Sequence, residues 1–357
     1  MKTTIKDIAR YTGMSVSTVS MALSGKDTRI AAATKQKIFE AAQALNYRRN
    51  HLAHALVTKK TRVLGVILPD ISNEFFAKIA KGIGYEAEKN DYRIMLLDTN
   101  ENPNQDLAAI NMLVERSVDG ILYIHSASGQ KNNAAECARL CQAEGIPLVM
   151  LDRVPVNTTA SAVLVDQEKG GYLAVKHLLD IGHTKIGCIT GSLATGSSQA
   201  RLDGYKKALC EANIIPDKRL LTEGEFHADS GYEHTQTLLD AGATAIFAFN
   251  DLIAYGVYRY ARDNRLRVPR DFSLMGFDDN NFSEIMETPL TTVHQPTFLL
   301  GAAAVKKILE HFDGTNDIET TVFEPHLIIR KSTGPVPMQI DHRRNPYSGT
   351  GGADTRG

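Results

Sequence analysis

Apolar residues near the start of the chain repeat with the period of a helix. Ile5, Ile8 and Ala9 recur at i, i+3 and i+4, one face of a first helix. Gly13 ends it and permits a sharp turn, and Ser15 offers a hydroxyl to cap a second helix whose inward residues are Val19, Ala22 and Leu23. A third helix is predicted from Ala32 to Leu45, with Thr34 near its start and Ile38, Ala41, Ala42 and Leu45 as its apolar stripe. Two short helices joined by a glycine-containing turn form a helix-turn-helix, the second helix of which enters the major groove of DNA. A unit of roughly fifty residues buries little apolar area and is marginal alone.

From Val63 the period changes. Strands are predicted at Val63–Leu68, Arg93–Leu97, Gly120–Ile124 and Leu148–Leu151, separated by helices Phe75–Asn90, Gln105–Arg116 and Ala134–Glu144. A second series runs through strand Ala162–Val165, helix Lys169–Ile181, strand Lys185–Ile189, helices Ala200–Ala212 and Ser230–Ala241, strand Ala245–Phe249, helix Leu252–Asn264 and strand Ser273–Phe277. Helix Phe298–Asp313 comes late and is expected to return to the first series. Near-continuous apolar strands alternating with helices indicate parallel sheets covered on both faces, here two lobes with a cleft between them. The expected fold is therefore α/β: a small all-α head on a two-lobed parallel-sheet body. The expected domains are a head at 1–47, a hinge at 48–62 and a body at 63–334. Lobe one takes about 63–161 and 293–322, lobe two about 162–292 and 323–334, and the Gly- and Pro-rich tail 335–357 is expected to be disordered.

Charge sharpens this division. The 357-residue chain has a formal net charge of −1, yet residues 1–62 carry 12 Lys/Arg against 3 Asp/Glu, a net of +9, leaving −10 on the rest. A basic head on an acidic body suits docking of the head alone on phosphates. Residues 48–62 are basic and place Leu52, Ala53, Ala55 and Leu56 at helical spacing, a stretch short enough to need DNA or a second chain to order it. Cys137, Cys141, Cys188 and Cys210 form no CxxC pair and read as ordinary residues of a reduced cytoplasmic protein. No signal peptide and no apolar run of 18 residues is visible, so no membrane is expected. There is no GxGxxG after a strand, no GxxxxGK[ST] and no HExxH, so no catalytic residue, metal or cofactor is expected.

Several motifs then fall in order: DIA followed by STVS, LNY at Leu45–Tyr47, the AHAL segment, DGI at Asp119–Ile121, Gly182-His183, RLDGY at Arg201–Tyr205, Asn250-Asp251, GFDD at Gly276–Asp279 and HQP at His294–Pro296. Together they resemble the lactose-repressor family of bacterial transcription regulators, from about Ile5 to Ser332. The body alone also resembles periplasmic sugar-binding proteins, which lack the head. The resemblance implies that Val16, Ser17 and Met21 read bases while Thr18 and Ser20 hold phosphates or nearby base edges. Thr4, Ser15, Arg29, Asn50, Ala53 and His54 complete the DNA-contacting set. Leu56 matches the residue that wedges between central base pairs of the minor groove in relatives. Val16 and Met21 meet thymine methyls but cannot form the bidentate pair of Arg with guanine. Met21 stands where relatives often carry Arg, Arg49 where Pro is usual and His54 where Arg is usual. The bland alternatives are that Met21 is a surface residue and Leu56 a plain linker.

For the body, the resemblance implies an effector cleft lined by Asn73, Phe75, Phe76, Asp152, Arg153, Arg201, Phe226, Asn250, Asp278 and Gln295, all beyond strand ends or in crossover segments. Planar polar side chains would bond the hydroxyls of a small sugar, and the three phenylalanines would cover its ring. This set resembles that of ribose-binding members. Asp251 and Asp279 read instead as caps or outer acceptors. The expected protein is a repressor that binds double-stranded operator DNA as a homodimer, reads a palindrome, and releases it when a ribose-like sugar binds; the Gly-rich end cannot form a tetramerising heptad helix. A corepressor of opposite sign, or a sugar sensor whose head has lost specific binding, are the alternatives.

Overall fold

A computed structural model describes residues 3–24, 30–47, 60–127, 133–155, 158–314 and 318–337. The chain divides into two units at Thr61/Arg62. The first contains α1 (Ile5–Thr12), α2 (Val16–Ser24) and α3 (Ala32–Ala44). Ile8, Ala9, Val19, Ala22, Ile38 and Ala41 form its core, with Leu23 and Leu45 packed against it, as the helical period requires.

The second unit begins with β1 (Val63–Leu68), α4 (Glu74–Lys89), β2 (Arg93–Asp98), α5 (Pro103–Glu115), β3 (Gly120–Tyr123), α6 (Ala134–Ala143), β4 (Leu148–Leu151) and β5 (Ser161–Val165). It continues with α7 (Gln167–Asp180), β6 (Ile186–Thr190), α8 (Gly196–Glu211), a 3-10 turn at Lys218–Leu220, β7 (Leu221–Glu223), α9 (Ala228–Asp240), β8 (Ala245–Ala248), α10 (Asp251–Asp263) and β9 (Ser273–Met275). It closes with α11 (Asn281–Ile285), β10 (Thr292–His294), α12 (Thr297–Phe312), β11 (Thr320–Phe323) and β12 (His326–Ile328).

The first sheet has the order β11-β5-β4-β3-β1-β2 and is parallel throughout. One face is covered by α4 and α12 and the other by α5 and α6, so its strands are apolar on both sides. The second sheet, β7-β6-β8-β9, is also parallel. The antiparallel pair β10–β12 joins its edge through bridges from Met275 to Thr291 and from Asp278 to His294.

These pairings correct the expected lobe boundaries. The boundary at 161/162 assigns β5 to lobe two, but β5 pairs with β4 and β11 in the first sheet, so the first crossing falls at Asp166. β5 precedes a helix, as the opening strand of a new series would, and periodicity does not reveal its neighbours. The boundary at 292/293 cuts through β10, which lies wholly at the edge of lobe two, so the second crossing follows His294. β11 extends the first lobe to Phe323, and the third crossing is Glu324-Pro325. Strands β7, β10, β11 and β12 and helix α11 were not expected at all; each has five residues or fewer. The hinge at 48–59 and the tail from 338 lie outside the described residues.

Three helix pairs approach closely enough that each partner needs a glycine: α7 with α8, α9 with α10, and α4 with α12. A Cβ at Gly171 would meet the carbonyl of Arg201, and one at Gly204 the carbonyl of Glu168. Gly171 therefore sets how deep α8, and Arg201 upon it, sits against α7. Gly171→Ala is expected to destabilise the body by about 1–3 kcal/mol through overpacking against backbone, read from urea unfolding. An unchanged midpoint would show that α8 is not held at this depth.

Candidate functional site

In the head, the N–H and the hydroxyl of Thr4 both donate to Asp7, at 2.9 and 2.7 Å, and these bonds hold the Asp7 carboxyl below its ordinary pKa. The Thr4 hydroxyl, expected to touch DNA, is thus engaged in fixing the start of α1. Gly13 takes the left-handed conformation, φ 71°, that ends α1. Ser15 caps α2, its Oγ accepting the Thr18 N–H at 3.0 Å and lying 2.7 and 2.8 Å from the hydroxyls of Ser17 and Thr18. Val16, Ser17, Ser20 and Met21 are exposed on α2, Thr18 is half-buried, and Val19 and Ala22 face the core. The exposed face of α2 is a ribbon of hydroxyl and apolar groups without a charge. Arg29, Asn50, Ala53, His54 and Leu56 lie outside the described residues.

In the body, nine of the ten expected effector residues line one cavity between the lobes, joined by Ser197. Asn73, Phe75, Phe76, Asp152 and Arg153 come from lobe one; Arg201, Phe226, Asn250 and Asp278 come from lobe two. Asn73 and Asn250 also cap the helices they precede, accepting from Phe75 N–H at 3.0 Å and Ile253 N–H at 2.8 Å. Asp152 and Asp278 hold positive φ values of 58° and 115°, rare for non-glycine residues and concentrated at binding sites.

The tenth residue, Gln295, stands behind the wall. Its amide donates to Asp278 at 2.7 Å, and its carbonyl accepts from Gln167 at 3.0 Å. Gln167 in turn accepts from Arg201 Nε at 2.7 Å and reaches Asp152 at 3.4 Å. Arg201 also donates to the Phe249 carbonyl and stacks on Phe277, 3.8 Å from the ring centre. Arg153 lies over Phe76 and Phe226, at 5.2 and 5.7 Å, and pairs with Glu101 at 3.0 Å. Sequence reading missed Gln167, Ser197 and Glu101. Gln167 and Ser197 open helices, where a polar residue reads as a cap. Glu101 acts through a contact 52 positions away, which no local pattern encodes.

Burial pushes the pKa of Asp152 and Asp278 up, against the pull of neighbouring Arg153 and Arg201, and pushes that of Arg201 down. Asp279 stays outside the cavity; burial raises it, but bonds from His294 and Arg330 outweigh this and hold it at about 2. The cavity is nearly collapsed, about 20 Å³, room for one water rather than a sugar ring. The lobes are latched beside it: Lys78 of α4 donates to the Asp279 carbonyl at 3.0 Å, and Glu74 accepts the Asn281 N–H at 3.0 and 3.1 Å. Among the described residues, no group of three or more His, Cys, Asp or Glu is placed to hold a metal, and no helix is long and apolar enough to cross a membrane. The four cysteines are free, three buried and Cys210 exposed.

Comparison with known proteins gives both parts a likeness. Residues 4–50 match the model of bacterial regulatory proteins of the lacI family, and residues 175–333 that of the periplasmic binding protein-like domain. The HTH-type transcriptional regulator DegA of Bacillus subtilis is 34% identical over 94% of this chain and 99% of its own length. Catabolite control protein A of Priestia megaterium is 34% identical over 93% and 100%. A lac repressor dimer bound to operator and the anti-inducer ONPF is similar with a TM-score of 0.84, at 28% identity over 94% of this chain and all of that one. A LacI family regulator from Enterococcus faecium with bound ribose has a TM-score of 0.68, at 30% identity over 76% and 99%. These relatives are regulators, in agreement with the reading against catalysis.

Behind Asp278, Asp251 is fully buried and accepts from Ser283 at 2.6 Å, Thr292 at 2.7 Å and the Asn280 N–H at 2.8 Å. Burial nevertheless pushes its pKa up to about 6. A raised folded pKa means stability that is present below the ordinary value and lost as pH rises through 6. The stability of wild type relative to Asp251→Asn should therefore fall by about 2 kcal/mol between pH 4 and pH 7.5, measured by urea unfolding at both. A difference independent of pH would show that Asp251 does not titrate in this window.

Proposed function

Because the chain belongs to the lacI family of bacterial regulatory proteins, as a repressor with a helix-turn-helix head and a ligand-binding body, we propose that it controls a carbohydrate-utilisation operon and leaves a palindromic operator when a small neutral sugar, ribose or a close relative, enters the cleft. The observation that carries this reading is the convergence of Asn73, Phe75, Phe76, Asp152, Arg153, Arg201, Phe226, Asn250 and Asp278 on one cavity. Two carboxylates face two guanidiniums there, and both guanidiniums already have partners, Glu101 for Arg153 and Gln167 for Arg201. A phosphate or carboxylate would meet Asp152 and Asp278 without compensating charge, whereas hydroxyls can donate to the acids and accept from the guanidiniums. The apolar readers Val16 and Met21 suit an operator with thymine methyls at the outer positions.

Operator symmetry calls for a homodimer. Phe298 and Leu299 are exposed in a groove of about 430 Å³ that also contains Lys78 and Asn281 of the latch. Exposed Tyr85 packs on Phe298, and Phe282 and Ile285 are exposed on α11, the helix that gives Asn281 and Glu284 to the groove. Exposed apolar side chains gathered on one face mark an interaction site, and residues of both lobes contribute. We assign it to the second copy, which would then sense whether the lobes are closed.

Ribose, fructose, glucose, sucrose, gluconate and purines should be compared by dye-monitored melting, since the chain has no Trp. One neutral sugar at 100 times its Kd should stabilise the protein by about 2.7 kcal/mol, and Asp278→Ala should abolish the shift. A response to gluconate or purines alone would overturn the neutral-sugar reading. In sedimentation velocity Ile285→Asp should be monomeric, with operator affinity at least tenfold weaker; a dimer of undiminished affinity would move the interface elsewhere.

A further inference from the structure

The loops that follow four neighbouring strands of the first sheet meet on one carboxylate. Glu101, after β2, donates its N–H to the Pro69 carbonyl after β1 at 2.7 Å. Its Oε2 accepts the Ala127 N–H after β3 at 2.6 Å. Both its oxygens accept from Arg153 Nη1 after β4, each at 3.0 Å, and the same nitrogen donates to the His125 carbonyl at 3.1 Å. Asn100 and Glu101 hold φ values of 50° and 52°, left-handed conformations that non-glycine residues keep where the surroundings impose them. Glu101 is thus aimed at Arg153 by the fold, yet is not itself on the cavity wall.

The charge around Arg153 follows. Its guanidinium lies between two carboxylates, Glu101 on one side and Asp152, whose Oδ2 is 3.8 Å from Nε, on the other. Among the described residues Nη2 makes no hydrogen bond, so Arg153 retains a donor for a ligand hydroxyl while its positive charge is more than matched. A guanidinium without such partners presents a planar fork that fits phosphate or carboxylate through two bonds. Rejecting a competitor by a like charge is a recognised route to specificity.

Resting on the neutral-sugar reading above, we propose that Glu101 is the specificity-determining residue that keeps anionic relatives of the effector out of the cleft. It occupies Nη1 of Arg153 and adds a negative charge beside the position where a phosphate or carboxylate would seat. The sugar itself gains an oriented donor, Nη2, because Nη1 is fixed.

The test is calorimetric titration of the full chain, as wild type, Glu101→Gln and Glu101→Asp, with D-ribose and with D-ribose 5-phosphate. Wild type should prefer ribose by at least tenfold. In Glu101→Gln that ratio should fall at least tenfold, with absolute gain in affinity for the phosphate, and Glu101→Asp should restore most of the preference. A change of both affinities by one common factor would mean that Glu101 merely supports the loops, and would overturn the assignment. Should wild type bind neither compound, the sugar reading falls separately, and Glu101 is judged on the anion alone: binding of ribose 5-phosphate gained by Glu101→Gln supports it, and no gain overturns it.

Discussion

The body of this regulator is organised around a single electrostatic demand, the burial of Asp152, Arg153, Arg201 and Asp278 where its two lobes meet. An ion taken out of water without partners costs several kcal/mol, and a buried pair that loses one member is destabilised by about 3–5 kcal/mol. Here the demand is met by a relay of amides: Arg201 donates to Gln167, Gln167 to Gln295, and Gln295 to Asp278. Both glutamines sit at crossings between the lobes, Gln167 just after β5 and Gln295 just after β10. The segments that act as hinge are therefore also the segments that satisfy the site. Under the proposed function, a ligand hydroxyl that took a bond from Asp278 or Arg201 would alter the partners of a residue at a crossing, which would couple binding to lobe movement.

The head solves a different problem with different residues. α2 carries no charge, so in the proposed reading its exposed ribbon of Val16, Ser17, Ser20 and Met21 would contribute shape and methyl contacts rather than attraction to phosphates. Attraction has to come from the Lys and Arg residues elsewhere in the first 62 positions, which hold the net charge of +9. Separation of the two tasks follows the general division in which phosphate contacts position and base contacts specify. Ser15, expected to contact DNA, holds the first turn of α2 through Thr18, which leaves its hydroxyl less free for another partner.

Much of this was legible in the chain because the carrying residues occupy places with a physical signature. The buried strands Val63–Leu68 and Leu148–Leu151 were placed to the residue, since apolar runs between helices have few alternatives. Nine cavity residues were legible through the family resemblance, and all of them but Arg201 follow strand ends, where open α/β sheets put ligands. What stayed hidden was long-range. β11, with Val322 exposed, becomes a strand only by pairing with β5, its Thr320 opposite Ala162. Gln295 was placed on the wall although its neighbours Gln167 and Asp278 draw it behind. Glu101 had no signature because its partner and its restraints lie on three other loops.

The collapsed cavity fixes what an effector must do thermodynamically. A space of about 20 Å³ is smaller than a sugar ring, so under the proposed function entry would call for the lobes to part and the α4 latch to break. Glu74 and Lys78 are each about one quarter exposed and also pair with each other at 2.9 Å, so parting leaves neither charge stranded. Their bonds to the backbone of Asn281 and Asp279 are charge-assisted and partly shielded, worth about 1.5–3 kcal/mol each before solvent replaces them. A ligand that entered and left all contacts equal in both forms would shift nothing, however tightly it bound. The aspartates, guanidiniums and phenylalanines come from opposite lobes, so a ring held between Phe76 and Phe226 engages its full set of partners in one lobe spacing only. That spacing cannot be the collapsed one, which has no room for the ring. Under the proposed function the effector would therefore select a lobe separation wider than the latched one, and a coupling of about 1–3 kcal/mol between that separation and the head would be enough to change operator affinity about 5–150-fold.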